Sequence, residues 1–375
     1  MSSRLVRAVT PMVARSWCIA KMGRVTAQQA RRSAAAAVVA RRLVAALLVA
    51  AGMLIASYAG LSIYSATRLV YAPQEPIMAT PAALGLAYHD VSFRSRGDGL
   101  LLRGWFIPGL LPNGRMTARR VIIVVHGARA NRTDPGTGVL DFSAELARHG
   151  FAVLAFDMRG MGQSPPAPLS MGYFEQRDVL GAVDFLHSGP LPYPRLGRPR
   201  VMGGWGISMG AATLLLAAAR EPAIRAIVAD SAYADILPIL KREIPRRSGL
   251  PPAVTPGIVL AAWTLYGIDY RVIRPVAVVA RIAPRPLLFI QGAADTFIPL
   301  SDARVLAATA RVPHAHVQFW LVPGATHAQG FHVAGQAYVH RVIAFLRTAL
   351  SSPRRACARG GAPHVALRSI RPWCA

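Results

Sequence analysis

VMGGWGISMGAATLLLAAAR occupies residues 201–220. Its first five residues are an apolar run of the kind that forms a strand covered on both faces. Its last ten are rich in Ala and Leu, which favour helix. Between them lie only Gly206-Ile207-Ser208-Met209-Gly210. A strand that becomes a helix in so few residues crowds the residue at the turn. Glycines two positions to either side relieve that crowding and leave the Ser208 hydroxyl exposed, so Ser208 is the candidate nucleophile.

Outward from this stretch the same texture repeats. Short apolar runs at 121–125, 152–156, 226–230, 286–291 and 317–322 read as strands, and helical patterns fall at about 141–149, 174–187, 208–220, 301–310 and 335–349. Such βα alternation calls for an α/β fold with a mostly parallel central sheet and helices on both faces. Ahead of it, 88–93 and 101–106 flank a turn that holds Asp98 and two glycines, and they read as an antiparallel hairpin at one sheet edge. Residues 232–283 break the alternation and exceed an ordinary crossover. Pro238, Pro245, Pro251, Pro252 and Pro256 divide them, and Ile236, Leu237, Val254, Ile258, Leu260, Trp263 and Tyr266 make them apolar. They read as a helical cap inserted over the site.

A serine hydroxyl needs a histidine to take its proton and a carboxylate to orient that histidine. Asp295, in QGAADTFIP, follows one strand run and His327, in VPGATHAQG, follows the next. Both fall at carboxyl ends of strands, where open α/β sheets place their sites. His332 and His340 come later, toward the last helix; His314 and His316 precede a strand and belong to the opposite edge. Asp230, at the end of the preceding strand, is the rival acid, and Asp302 lies inside the next helix. Backbone N–H groups suit the oxyanion of a tetrahedral intermediate, and Met209 and Ala128, in His126-Gly127-Ala128, are the candidates. His126 reads as a structural residue that holds its loop. DMRGMGQS (157–164) lacks the G-K-[ST] of a phosphate loop and reads as a structural loop beside the site.

Taken together, HGA (126–128), DMRGMGQS (157–164), GWGISMGAA (204–212), GAADTFIP (292–299) and PGATH (323–327) resemble the α/β-hydrolase superfamily. Within it the chain is similar to bacterial membrane-anchored hydrolases grouped with esterase/lipase-like and serine aminopeptidase-like proteins. The resemblance runs from about Tyr71 to Leu350. It implies the triad Ser208, Asp295 and His327, an oxyanion hole from Ala128 and Met209, and no cofactor or metal. Arg129-Ala130-Asn131 departs from the usual glycine-rich continuation, and Gln291 stands where many relatives carry histidine. The expected activity is acyl-bond hydrolysis of carboxylesterase or lipase type on a small, uncharged or lipid-like substrate. A serine aminopeptidase-like peptidase and a non-catalytic membrane-tethered binding protein are the alternatives.

The chain has 375 residues, 53% of them hydrophobic, with 43 Lys+Arg against 17 Asp+Glu. Nine basic residues fall in 1–42 and five after Ser351, with no acid in either stretch. Between these ends the excess is dispersed, without the dense basic patch and exposed aromatics of a nucleic-acid binder, so none is expected as partner. Cys18, Cys357 and Cys374 offer neither a disulfide scaffold nor a metal motif.

Residues 43–67, LVAALLVAAGMLIASYAGLSIYSAT, carry no charge. They exceed the roughly 20 residues that cross a bilayer as a helix. A cleavable signal peptide is the rival reading, with Ser57-Tyr58-Ala59 as its small-x-small site. The organisation expected is a basic cytoplasmic leader (1–42), a transmembrane signal-anchor (43–67), a linker (68–87), the catalytic domain (88–350) and a disordered basic tail (351–375). The basic flank keeps the N-terminus in the cytoplasm. A reporter fused after Leu350 is therefore expected to be active only on the non-cytoplasmic side, and activity in the cytoplasm reverses the orientation.

Overall fold

The computed structural model describes residues 10–71 and 73–351, with side chains from residue 25 onward. The first nine residues of the leader and the tail from 352, with Cys357 and Cys374, lie outside the described residues. The chain divides into two compact units, Met1–Tyr64 and Ser65–Ala375.

Helix α1 (Thr10–Val70) extends beyond the uncharged run at both ends and passes from the first unit into the second. The Ala-rich stretch upstream of residue 43 favours helix strongly enough to carry it back through the leader. Its portion from Val25 to Val70 is long and apolar enough to cross a membrane, and Leu47, Leu48, Leu54 and Ile55 are exposed on it.

The second unit opens with a 3-10 turn at Pro81–Leu84, followed by β1 (His89–Arg94), β2 (Leu101–Ile107) and a small hairpin of β3 (Gly109–Leu110) and β4 (Met116–Thr117). Then come β5 (Arg120–Val125), α2 (Val139–Arg148), β6 (Ala152–Phe156), α3 (Glu175–Ser188), β7 (Val201–Ile207), α4 (Met209–Ala218) and β8 (Ile224–Asp230). The cap holds α5 (Ile236–Ser248) and α6 (Thr255–Tyr266), and the chain closes with β9 (Leu287–Gly292), α7 (Leu300–Ala310), β10 (Val317–Val322), α8 (Gly330–Ala334) and α9 (Gln336–Ala349). The strands form one sheet ordered β1-β2-β6-β5-β7-β8-β9-β10, parallel from β6 onward and antiparallel at the β1-β2 edge.

Period-two alternation sorts the strand residues between two cores. Val121, Ile123 and Val125 of β5 face one side with α3, α4 and α7, whereas Ile122 and Val124 face the other with α2 and α9. Both faces are apolar, which is why these strands read as continuous hydrophobic runs. In the cap, Pro238 sits in the first turn of α5, where no intrahelical N–H bond is lost, and Asp235 caps that helix by accepting from Leu237 N–H. Pro245 is accommodated near its end, so the helix break falls at Pro251 and Pro252.

Helix α3 approaches β1 closely because Gly181 has no side chain there: a Cβ would stand 2.9 Å from Ser95 Cα and press harder still on the Arg94 carbonyl. Gly181→Ala gains about 1 kcal/mol of helix propensity. The steric clash costs about 1–3 kcal/mol. The variant is therefore expected to unfold at lower denaturant than wild type, and an unchanged or raised midpoint refutes this packing.

Candidate active site

Ser208 lies between β7 and α4 with φ 54°, a left-handed conformation that an L-residue adopts only at a cost. What enforces it is the proximity of α4 to the end of β5. A Cβ on Gly210 would collide with the Val125 and His126 carbonyls, and one on Gly206 would stand 2.7 Å from the Gly210 carbonyl oxygen. The hydroxyl consequently projects from an otherwise buried turn, with Ser208 half-buried between Ile207 and Met209.

Three loops at the carboxyl ends of the parallel strands meet it. Ser208 Oγ is 2.8 Å from His327 Nε2, and His327 Nδ1 is 2.8 Å from Asp295 Oδ2. Asp295 also accepts from the Phe297 and Ile298 N–H groups at 2.9 and 2.8 Å and from Gln291 Nε2 at 2.9 Å. Four donors thus face a side chain wholly shielded from water, whereas the His327 ring remains 23% exposed. Gln291, which has no charge of its own, orients the acid. Phe297 presses edge-on against the His327 ring at 4.8 Å between centroids.

The other titratable residues considered from sequence lie elsewhere. Asp230 is buried at the end of β8, where its carboxyl accepts from Ser231 Oγ and Tyr338 OH, both at 2.8 Å. Asp302 accepts from Ala234 N–H. His316 pairs with Leu287 through its carbonyl at the opposite sheet edge, and His332 reaches the Pro135 carbonyl.

His126 is buried and holds the loop after β5. Its Nε2 accepts from Met158 N–H at 3.0 Å, which leaves Nδ1 as the donor to the Gly127 carbonyl at 2.8 Å. Burial pushes its pKa down, consistent with a neutral ring in this role. The loop it holds brings Gly127 beside Ser208: a Cβ there would be 3.7 Å from Ser208 Cβ. Ala128 follows Gly127, and Met209 opens α4, whose first N–H groups have no partners within the helix. Asp157, at the head of the 157–164 loop, binds the Arg132 guanidinium and accepts from Arg132 and Gln163 N–H groups at 2.8 Å each.

Arg129 and Asn131 have a role that their place in the sequence does not reveal. Arg129, at φ 58°, donates to the Arg68 and Leu69 carbonyls, and Asn131 donates to those of Glu75 and Pro76. Their departure from a glycine-rich pattern was the available signal: polar side chains replace glycine where the loop grips the segment ahead of the domain.

A family model described as serine aminopeptidase, S33, matches residues 116–254, a span that includes Ser208. An esterase of Pyrococcus furiosus, Pf2001, superposes with a TM-score of 0.61 at 24% identity, covering 76% of this chain and 99% of its own. The chain has the α/β-hydrolase fold, and its segment 116–254 is similar to the serine aminopeptidase, S33, family. The chain is 29% identical over 269 residues to the uncharacterized protein YfhR of Escherichia coli, covering 70% of this chain and 81% of the relative. Est1E of Butyrivibrio proteoclasticus, whose structure contains ferulic acid, superposes with a TM-score of 0.53 at 22% identity over 69% of this chain and 99% of its own.

Asp230 ties the His327 loop to the core of the domain. Ala328 N–H reaches Ser231 Oγ at 3.2 Å, and Tyr338 in turn accepts from Trp205 Nε1 at 2.9 Å. Burial pushes the Asp230 carboxyl up to about 6. The ordinary value, about 3.9, applies to the unfolded chain. As pH rises from about 4 to about 6 the unfolded chain loses this proton first, so the folded state loses stability at up to about 1.4 kcal/mol per pH unit. Asp230→Asn is expected to flatten the pH dependence of the unfolding midpoint in that window. An unchanged slope removes Asp230 as its source.

Proposed function

We propose that this α/β-hydrolase is a serine hydrolase that cleaves ester-like acyl bonds through Ser208, His327 and Asp295. The observation that carries the reading is the pair of 2.8 Å contacts linking Ser208 Oγ to His327 and His327 to Asp295. His327 Nε2 takes the Ser208 proton as Oγ attacks the substrate carbonyl, and Asp295 holds the Nδ1–H and steadies the imidazolium. The Ala128 and Met209 N–H groups receive the oxyanion. Collapse of the tetrahedral intermediate passes the His327 proton to the departing alcohol and leaves an acyl-serine. Water, deprotonated by His327, then releases the acid and restores the hydroxyl.

The name of the matching family model favours a second reading, aminopeptidase activity. A free amino terminus would call for a carboxylate near the site. The cap acids are engaged instead with arginine: Asp235 with Arg274, Glu243 with Arg242 and Arg247, and Asp269 with Arg271. This supports an uncharged acyl substrate, as does the esterase name of the Pyrococcus relative. The apolar helix supports a single-pass membrane protein with its N-terminus in the cytoplasm and this site outside it.

A fluorophosphonate probe is expected to label the wild-type protein and spare Ser208→Ala. Folded wild type that stays unlabelled sinks the hydrolase reading. His327→Ala should lower kcat on p-nitrophenyl esters on the order of 10³-fold or more. Aminoacyl-anilides turned over faster than any ester would favour the peptidase.

A further inference from the structure

Cap helix α6 has two unlike sides. Ile258 and Ala261, with Val254, are buried against Ala66 in the last turns of α1. Thr67 Oγ1 and Tyr266 OH are 2.7 Å apart, and the rings of Tyr71 and Tyr266 meet edge-on at 5.7 Å. On the other side Leu260 is 55% exposed and Trp263 48%, in a stripe that Pro256 and Thr264 continue at helical spacing. The Arg271 guanidinium stands 5.0 Å over the Trp263 ring, and its neighbour Val272 is 58% exposed.

A tryptophan beside arginine on an exposed apolar stripe is the composition of a membrane interface. The ring sits at headgroup level, while the Arg271 guanidinium, which holds Asp269 through Nε and Nη2, presents its remaining Nη1 edge to lipid phosphate. α6 carries no charge and is apolar on its exposed side as well as its buried one, and such an unpartnered apolar side loses contact with water by entering the headgroup–acyl boundary. Charge agrees: the cap, 232–283, has seven basic and three acidic residues, which suits anionic headgroups. Chain continuity supplies the position. The uncharged run ends at Thr67, the residue in contact with Tyr266 at the carboxyl end of α6. If 43–67 occupies the hydrocarbon, that end of α6 is at the bilayer surface.

We propose that the exposed side of α6, Leu260 and Trp263 with Arg271 and Val272, rests on the lipid bilayer, so that the cap draws acyl lipid from that bilayer to Ser208. The second clause rests on the hydrolase reading; the first rests on the membrane-spanning helix alone.

The full-length protein, reconstituted in phosphatidylglycerol–phosphatidylcholine vesicles with bromine on the upper acyl carbons, tests the contact. The chain has six tryptophans, so Trp263 is read as the difference between wild type and Trp263→Phe. The expected difference is a blue-shifted emission component that brominated lipid quenches. A Trp263 component that bromine leaves unquenched overturns the contact, whether a second copy shields the ring, seen as a dimer by mass photometry, or water surrounds it. For lipid supply, the double variant Leu260→Ser/Trp263→Ser should lower kcat/KM on a vesicle-embedded long-chain ester about tenfold, keeping a soluble short-chain ester within about twofold. Equal loss on both esters overturns the supply role. Fluorophosphonate labelling in the same vesicles separates the readings: quenching without labelling sinks the hydrolase and supports the surface, and labelling without quenching does the reverse.

Discussion

The close approach of α4 to the end of β5 governs the rest of the site. Gly210 lies against the Val125 and His126 carbonyls, and no side chain fits between them. Because β5 and β7 are paired neighbours, the chain has no route from Ile207 into α4 that avoids this contact, and Ser208 takes the left-handed conformation as a result. The strain is tolerated because packing on both sides over-determines it. The same contact sets the loop after β5 beside the serine, so the exposed hydroxyl and its nearest backbone have one cause.

Polar groups buried around that contact determine where the remaining loops go. Burying a polar group costs free energy unless it is partnered, so each such group selects the loop conformation that satisfies it. His126 is satisfied by Met158 and Gly127, Asp157 by Arg132 and Gln163, and Asp230 by Tyr338 and Ser231. Through Ser231 the last of these reaches the histidine loop at Ala328. The site is thereby tied to β8 and α9, elements that contribute no side chain to the Ser208–His327–Asp295 contacts.

Residues 68–76 are also tied to the site, although from sequence they read as a linker. Arg129 and Asn131, on the loop that carries Ala128, donate to four of their carbonyls. Leu169 N–H adds a bond to the Val70 carbonyl. The segment that follows the apolar run is therefore bound to the loop that carries Ala128, and a change in its path would be felt beside Ser208.

Much of this was legible in the residues because short-range rules produce it. Period-two burial in strands, helix propensity and the glycine spacing around Ser208 depend on neighbours in sequence, so strand positions, helix positions and the turn at the serine could be read within a few residues. Asp295 and His327 could be read because each follows a strand at the edge where sites form. Partners distant in sequence could not be read: Gln291 on Asp295, Arg129 on the Arg68 carbonyl, Asp230 on Tyr338 and Thr67 on Tyr266. A side-chain hydrogen bond has no periodicity, and its partner is chosen only when folding removes both groups from water. Sequence by itself determined the βα architecture and the strand-to-helix turn at Ser208; the tertiary structure alone decided what holds His327, Asp295 and the loop beside them, because those contacts join elements that only the folded chain brings together.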